Sequence, residues 1–211
     1  MWSLKHNTRG SVRRRGRFGV VAALLLTCAA LLAPGAAHAA NVLDQQQPTT
    51  SRSYYDIKGP TAFGGNGPIL MAQTFRAGIT GTLDRVDLAI TRDTAPLTVS
   101  IQTATSAGVP SGTVLASTAI SFASPYGLPA WQALAFQSPA EIQAGTEYAI
   151  VARTMGAGFW GWAYGSGGYA NGAAYQSLTD PPSWRQVGPD LSFKTYVTPT
   201  STQARRIRCA S

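Results

Sequence analysis

Leu97-Thr98-Val99-Ser100-Ile101-Gln102-Thr103 alternates apolar and polar residues without a break. In an extended chain successive side chains point to opposite faces. Leu97, Val99 and Ile101 then share one apolar face, and Thr98, Ser100 and Gln102 share a polar one. A helical period would mix the two sets. The same period of two runs outward from this stretch. Thr82–Thr91 lines up Val86, Leu88 and Ile90, and Gln132–Gln137 lines up Leu134 and Phe136. Leu191–Val197 sets Leu191, Phe193 and Val197 against Ser192, Lys194 and Tyr196. Thr113–Phe122 reads as a further strand, and Glu147–Arg153, apolar on both sides, as a central one. Gly78–Gly81, Gly108–Gly112 and Ala144-Gly145 break these runs, glycine by admitting positive φ and proline by fixing φ and removing a donor. Short alternating runs separated by such turns predict an all-β chain forming a single antiparallel β-sandwich.

The first 39 residues read differently. Arg9, Arg13, Arg14, Arg15 and Arg17 precede an apolar run from Phe18 to Ala33, followed by Pro34-Gly35 and Ala37-His38-Ala39. This is the charged, apolar and small-residue order of a cleaved signal peptide, 1–39, and the apolar run is shorter than the ~20 residues a spanning helix needs. The expectation is a secreted, extracytoplasmic protein with no membrane span after cleavage. Removal of the leader takes away both histidines, His6 and His38, and Cys28, leaving Cys209 as the single thiol. Histidine is the usual proton shuttle near neutral pH and the commonest metal ligand. Without it, Ser-His-Asp and Cys-His catalysis and most zinc sites are lost. A lone cysteine closes no disulfide within the chain, so packing must hold the fold.

The formal charge of +8 is also mostly leader. Lys5 and the five leader arginines account for six of the 17 Lys and Arg, so eleven remain against nine Asp and Glu. Arg205, Arg206 and Arg208 of the tail are three of those eleven, which leaves the body near neutrality. A nucleic-acid footprint needs a basic face, so nucleic acid is not an expected partner. The expected organisation is an N-terminal arm or edge strand leading into a long loop over 40–67, a β-sandwich domain over 68–197 and a disordered basic tail over 198–211.

Several short motifs carry a resemblance. They are Leu43-Asp44-Gln45-Gln46-Gln47, Ala72-Gln73-Thr74-Phe75-Arg76-Ala77-Gly78 and Gly81-Thr82-Leu83-Asp84-Arg85-Val86-Asp87-Leu88. Gly108–Ala116, Ala144–Val151, Gly168–Gly172 and Asp190–Tyr196 continue the pattern. Together they resemble the secreted bacterial choice-of-anchor type of domain. The resemblance spans roughly residues 41–197 and implies a jelly-roll β-sandwich similar to galactose-binding-like modules. It implies no catalytic residue.

The candidate binding site is the aromatic region opening with Phe159-Trp160-Gly161-Trp162-Ala163-Tyr164. In a strand Trp160, Trp162 and Tyr164 point to one side. Tyr169, Tyr175 and Trp184 follow, with Arg185 beside the last. Flat aromatic faces suit the C–H faces of sugar rings, and Asn171, Gln176 and Asp180 supply hydrogen-bonding groups. The other reading is that the three same-side rings are core. Calcium takes six to eight oxygen ligands. Asp56, Asp84, Asp87 and Asp190 leave it open, but no Asp-x-Asp-x-Asp cluster exists, and no cofactor is expected. Glycoside hydrolysis needs two placed carboxylates, and Glu141 and Glu147, the only glutamates, are not paired by the sequence. Tyr148, Arg153 and Lys194 are the material for a histidine-free lyase. The functional expectation is a non-catalytic module recognising a glycan or cell-surface polymer. The alternatives are a structural or adhesive protein and a polysaccharide lyase-like enzyme.

Overall fold

The computed structural model describes residues 41–124 and 127–200. The expected leader and all of the expected tail from Ser201 onward, with His6, Cys28, His38 and Cys209, lie outside the described residues. Twelve strands run along the described chain. They are β1 (Val42–Gln47), β2 (Tyr54–Lys58), β3 (Leu70–Arg76), β4 (Gly81–Ile90), β5 (Leu97–Ala104) and β6 (Pro110–Ile120). β7 (Ala130–Ile142), β8 (Glu147–Thr154), β9 (Phe159–Ala163), β10 (Ala174–Ser177), β11 (Arg185–Val187) and β12 (Phe193–Pro199) follow. Among the described residues no helix is long and apolar enough to cross a membrane.

The strands form two antiparallel sheets. Sheet B runs β11-β10-β3-β8-β5-β6. Sheet A is built on β4. Leu88 pairs with Gln132 of β7 and Phe193 of β12, and Ile90 pairs with Ala130 of β7 and Trp162 of β9. β7 therefore occupies one flank of β4, and β12 and β9 share the other. β1 adds beside β12 and β2 beside β9. The pairings are nested along the chain: β5 with β6 in sheet B, β4 with β7 in sheet A, β3 with β8 in B, β2 with β9 in A. Each pair encloses the previous one and changes sheet, which is the winding of a jelly roll. The all-β antiparallel sandwich expected from the alternation is the fold observed.

The core fills the space between the sheets. Leu97, Val99 and Ile101 face it from β5, and Val86, Leu88 and Ile90 from β4. Phe193 and Val197 of β12 and Leu134 and Phe136 of β7 also face it. β8 is central in sheet B, between β3 and β5. Its Tyr148, Ile150 and Ala152 enter this core, while Ala149 and Val151 join a second apolar cluster with Ala72 and Tyr175. That second cluster explains why β8 is apolar on both sides.

At the two ends the structure decides what the sequence left open or placed differently. Within 40–67 the edge strand is the reading that holds, and it occurs twice, as β1 and β2 at the edges of sheet A. β1 reads Val-Leu-Asp-Gln-Gln-Gln, a polar run that hides its pairing because a strand with one neighbour needs few apolar residues. The chain remains ordered in β12 past Val197, where Thr198 N–H donates to Asp84 Oδ2 at 2.9 Å and Pro199 pairs with Gly81.

Trp160 and Trp162 are both 0 % exposed. Burial of 150–250 Å² by such a ring is worth about 4–6 kcal/mol at ~25 cal/mol per Å². Each indole N–H keeps a partner: Trp160 Nε1 donates to Ala95 O at 3.1 Å and Trp162 Nε1 to Ser192 O at 2.9 Å. Between them Gly161 faces outward under the Tyr54 ring, and a Cβ there would stand 2.3 Å from a ring carbon. Trp162→Ala is expected to lower stability by about 3–5 kcal/mol, read as a reduced urea midpoint. A loss below about 1 kcal/mol would show that the site collapses onto the missing ring, contrary to tight packing.

Candidate functional site

The structure separates the predicted aromatic residues into three groups. Trp160 and Trp162 belong to the core and present no face to solvent, so they leave the candidate binding set. The reason is the direction of β9: its two indoles point between the sheets, and Gly161 and Ala163 point the other way. Tyr164 and Tyr169 are half-buried structural contacts. The Tyr164 ring lies 5.0 Å from that of Tyr55, and the Tyr169 ring meets Phe193 edge-on at 5.1 Å. Tyr169 Oη donates to Gln45 Oε1 at 2.7 Å, and burial raises its pKa well above the usual phenol value, which keeps it protonated.

Tyr175 and Trp184 lie elsewhere, at the outer face of sheet B, while Arg185 shares the opposite side of the β10–β11 pair with Gln176 and Val187 and so leaves this group. Tyr175 is on β10, buried over Ala72, Ala149 and Val151, and Trp184 packs against the same cluster while keeping part of its ring exposed. Burial, and then the Glu147 carboxylate, raise the Tyr175 pKa, so it stays neutral. Arg185 donates to Gln176 Oε1 across the β10–β11 pair. Of the polar candidates, Gln176 is thus engaged, Asp180 lies in the β10–β11 loop, and Asn171 is exposed away from any strand.

Trp184 forms one wall of an open groove of about 490 Å³. Its floor is the polar face of β5: Thr98, Ser100 and Gln102. The opposite wall is the start of β6, from Pro110 to Gly112 with Val114 and Ser117. Arg153 of β8 and Pro181-Pro182 close the Trp184 side. The floor is pre-set by its own hydrogen bonds. Gln102 Nε2 donates to Ser100 Oγ at 3.1 Å, and Gln102 Oε1 accepts from Gly112 N–H at 3.1 Å. From the donor inventory of these groups, the Ser100 hydroxyl proton and the second Gln102 N–H remain for a ligand or water.

The loop carrying the prolines is held in place from beneath. Ser177 is fully buried, and its Oγ accepts from Thr179 N–H at 3.2 Å and Ser183 N–H at 2.9 Å. At the loop's outer end Arg153 Nη2 meets Asp180 Oδ2 at 2.5 Å, with both side chains more than a third exposed. A pair in that setting is worth at most about 1 kcal/mol, so Ser177 is the stronger anchor and the ion pair is free to rearrange.

Each aspartate raised for calcium is accounted for separately. Asp84 caps Thr198 N–H, Asp87 pairs with Arg85 at 3.0 Å, and Asp190 accepts from Gln73 Nε2 and Tyr169 N–H. Asp56 is on β2, where burial raises its pKa. Among the described residues no three His, Cys, Asp or Glu side chains form a metal-holding group. The lyase material is also dispersed. Tyr148 faces the core, Arg153 faces outward from sheet B, and Lys194 covers the Trp131 ring at 4.4 Å on the outside of sheet A. Glu147 lies 3.8 Å from Arg76, and Glu141 is exposed on β7.

Sequence reasoning found Trp184 but not the groove it borders. The signal for the floor is present in Leu97–Thr103, whose alternation sets Thr98, Ser100 and Gln102 on one polar face without showing what borders it. Compared with protein-family models and with curated protein sequences, the chain matches none. Ser177→Ala leaves two loop N–H groups without their acceptor. It is expected to cost about 1–3 kcal/mol and to speed amide exchange at Thr179 and Ser183 selectively; unchanged exchange there would mean the loop is held by other contacts.

Proposed function

We propose that this chain is an exported, non-catalytic β-sandwich module that recognises a glycan or surface polymer at the cell envelope or outside the cell, through the groove on the outer face of sheet B. The observation that carries the reading is the composition of that groove: a floor of hydroxyl and amide groups beside the partly exposed ring of Trp184. Sugars offer the complement, hydroxyls around a ring whose C–H face stacks on an aromatic. The volume is within the usual range of ligand clefts. Arg153 is the one charged residue lining the groove, and Asp180 neutralises it. An uncharged ligand suits this balance, and its binding depends little on salt.

Binding without catalysis fits the same residues. Hydrolysis of a glycosidic bond uses two carboxylates across the scissile bond, and among the described residues that line the groove there is no carboxylate. The structural alternative draws support from the burial of Trp160 and Trp162, but it gives no reason for a cleft floored by pre-set hydroxyl and amide groups. The choice-of-anchor resemblance adds the envelope-facing setting to the proposal and nothing to the site.

The test is a glycan array on the full-length protein, followed by titration of the tightest neutral oligosaccharide. Trp184→Ala is expected to weaken that binding about tenfold or more, a loss of ~1.4 kcal/mol or greater, with the circular dichroism spectrum unchanged. Equal binding by Trp184→Ala and wild type moves the site away from the groove, and no glycan binding at all removes the reading.

A further inference from the structure

The Arg153–Asp180 pair also lines a second recess, of about 160 Å³. Arg153 lines both spaces. The recess combines two kinds of surface. Pro60, Pro68, Leu70 and Met155 give it apolar walls, and the Arg153 guanidinium and the Asp180 carboxylate set a donor and an acceptor side by side at its mouth. Met155 is held toward the pair, with Arg153 Nη2 3.4 Å from its sulfur. Asp180 uses Oδ2 for the arginine, and no hydrogen bond engages Oδ1 among the described residues.

The walls are fixed by the backbone more than by side chains. The turn carrying Pro60 hydrogen-bonds across to the β8–β9 turn, Gly59 N–H to Gly158 O at 2.9 Å and Thr61 N–H to Gly156 O at 3.0 Å. Gly59 is required there, because a Cβ would lie 2.3 Å from Gly156 O. Lys58 and Ile69 exchange both backbone hydrogen bonds, 2.9 and 2.8 Å, and so close the base of the loop that brings Pro68 to the recess. The recess is thus a formed feature of the fold.

We propose that this recess is a subsite for an acetamido substituent on the glycan bound in the groove, so that the ligand is an N-acetylated sugar polymer. The inference rests on the groove reading above. An acetamido group carries what the recess complements: an N–H for the free carboxylate oxygen of Asp180, a carbonyl for the guanidinium of Arg153, and a methyl for Pro60, Pro68, Leu70 and Met155. Its four heavy atoms need about 120 Å³ at about 30 Å³ per water-sized group, which fits. The competing substituents fit less well. A hydroxyl leaves the apolar walls in contact with water. A carboxylate or a free ammonium meets one like and one opposite charge in the Arg153–Asp180 pair, must compete with that pair, and brings no methyl to the apolar walls.

Three tetrasaccharides separate the outcomes on the full-length protein by calorimetric titration: chitotetraose, its fully de-N-acetylated counterpart and cellotetraose. Chitotetraose is expected to bind at least tenfold tighter than the other two. Pro68→Ala and Met155→Ala are each expected to shrink that preference to about threefold or less while sparing the affinity for cellotetraose. Trp184→Ala is expected to weaken all three together. Two independent recess variants keep the test informative if one of them perturbs the loop. Equal affinities for chitotetraose and cellotetraose, or groove binding confined to glycans without acetamido groups, overturn the acetamido subsite and leave the groove reading intact. Binding of no oligosaccharide on the array or in the calorimeter overturns both.

Discussion

The hydrogen bond from the Trp162 indole to the Ser192 carbonyl, 2.9 Å long and buried, is the joint on which sheet A depends. β4 is longer than either strand on its shared flank, so β12 and β9 must meet end to end against it. Ser192 is where they meet. Its N–H donates to Ala163 O at 2.8 Å, its carbonyl also accepts from Ala89 N–H at 3.4 Å, and its hydroxyl donates to Thr49 O at 2.5 Å. An indole is large enough to fill the junction and carries one N–H that must be satisfied once buried. Both demands are met at one residue, and β9 is thereby held in register beside β4. The described residues include no cysteine, so this packed junction does the work a covalent staple does in small disulfide-bonded domains.

Fixing β9 in this way also determines what sheet B can offer. The turn before β9 brings Met155 and Gly156 against the loop bearing Pro60. β8, which leads into that turn, then lies in the middle of sheet B with one apolar face inward and one outward. The outward face is only partly covered. Tyr175 and Trp184 seal Ala72, Ala149 and Val151 and stop short of the polar face of β5. The groove is the part of the sheet left between that apolar seal and the β5–β6 turn. It is a consequence of incomplete coverage on a rigid scaffold, with its variable wall supplied by a loop, the arrangement in which binding sites commonly occur.

The outer face of sheet A shows a different solution to the same problem. Arg85 stacks over the Tyr196 ring at 3.7 Å while pairing with Asp87, and Lys194 covers Trp131. The aliphatic stems and charges of these side chains cover the rings directly. Sheet A is closed by cations lying on aromatics, whereas sheet B is closed by a loop and leaves space beneath it. That difference assigns the candidate site to one face of the sandwich.

The alternation in Leu97–Thr103, Thr82–Thr91 and Leu191–Val197 was enough to read strands, inward faces and the antiparallel sandwich, because a period of two is a local property of the extended backbone. Gln-rich β1 and five-residue β2 leave an arm and an edge strand both open, since a polar or very short edge strand gives little of that signal. The aromatic run at Trp160–Tyr164 carried a local ambiguity: same-side rings are compatible with a platform or with a core. Only the packing of β9 against sheet B resolved it, burying Trp160 and Trp162. The candidate site joins Ser100 and Gln102 of β5, Arg153 of β8 and Trp184 of a loop more than eighty residues further on than Gln102. Sequence determined the strands and the polar face of β5, because those follow from neighbours two residues apart. Tertiary structure alone decided that this face becomes a groove, because its walls come from chain segments whose proximity is set by the nesting of the strand pairs.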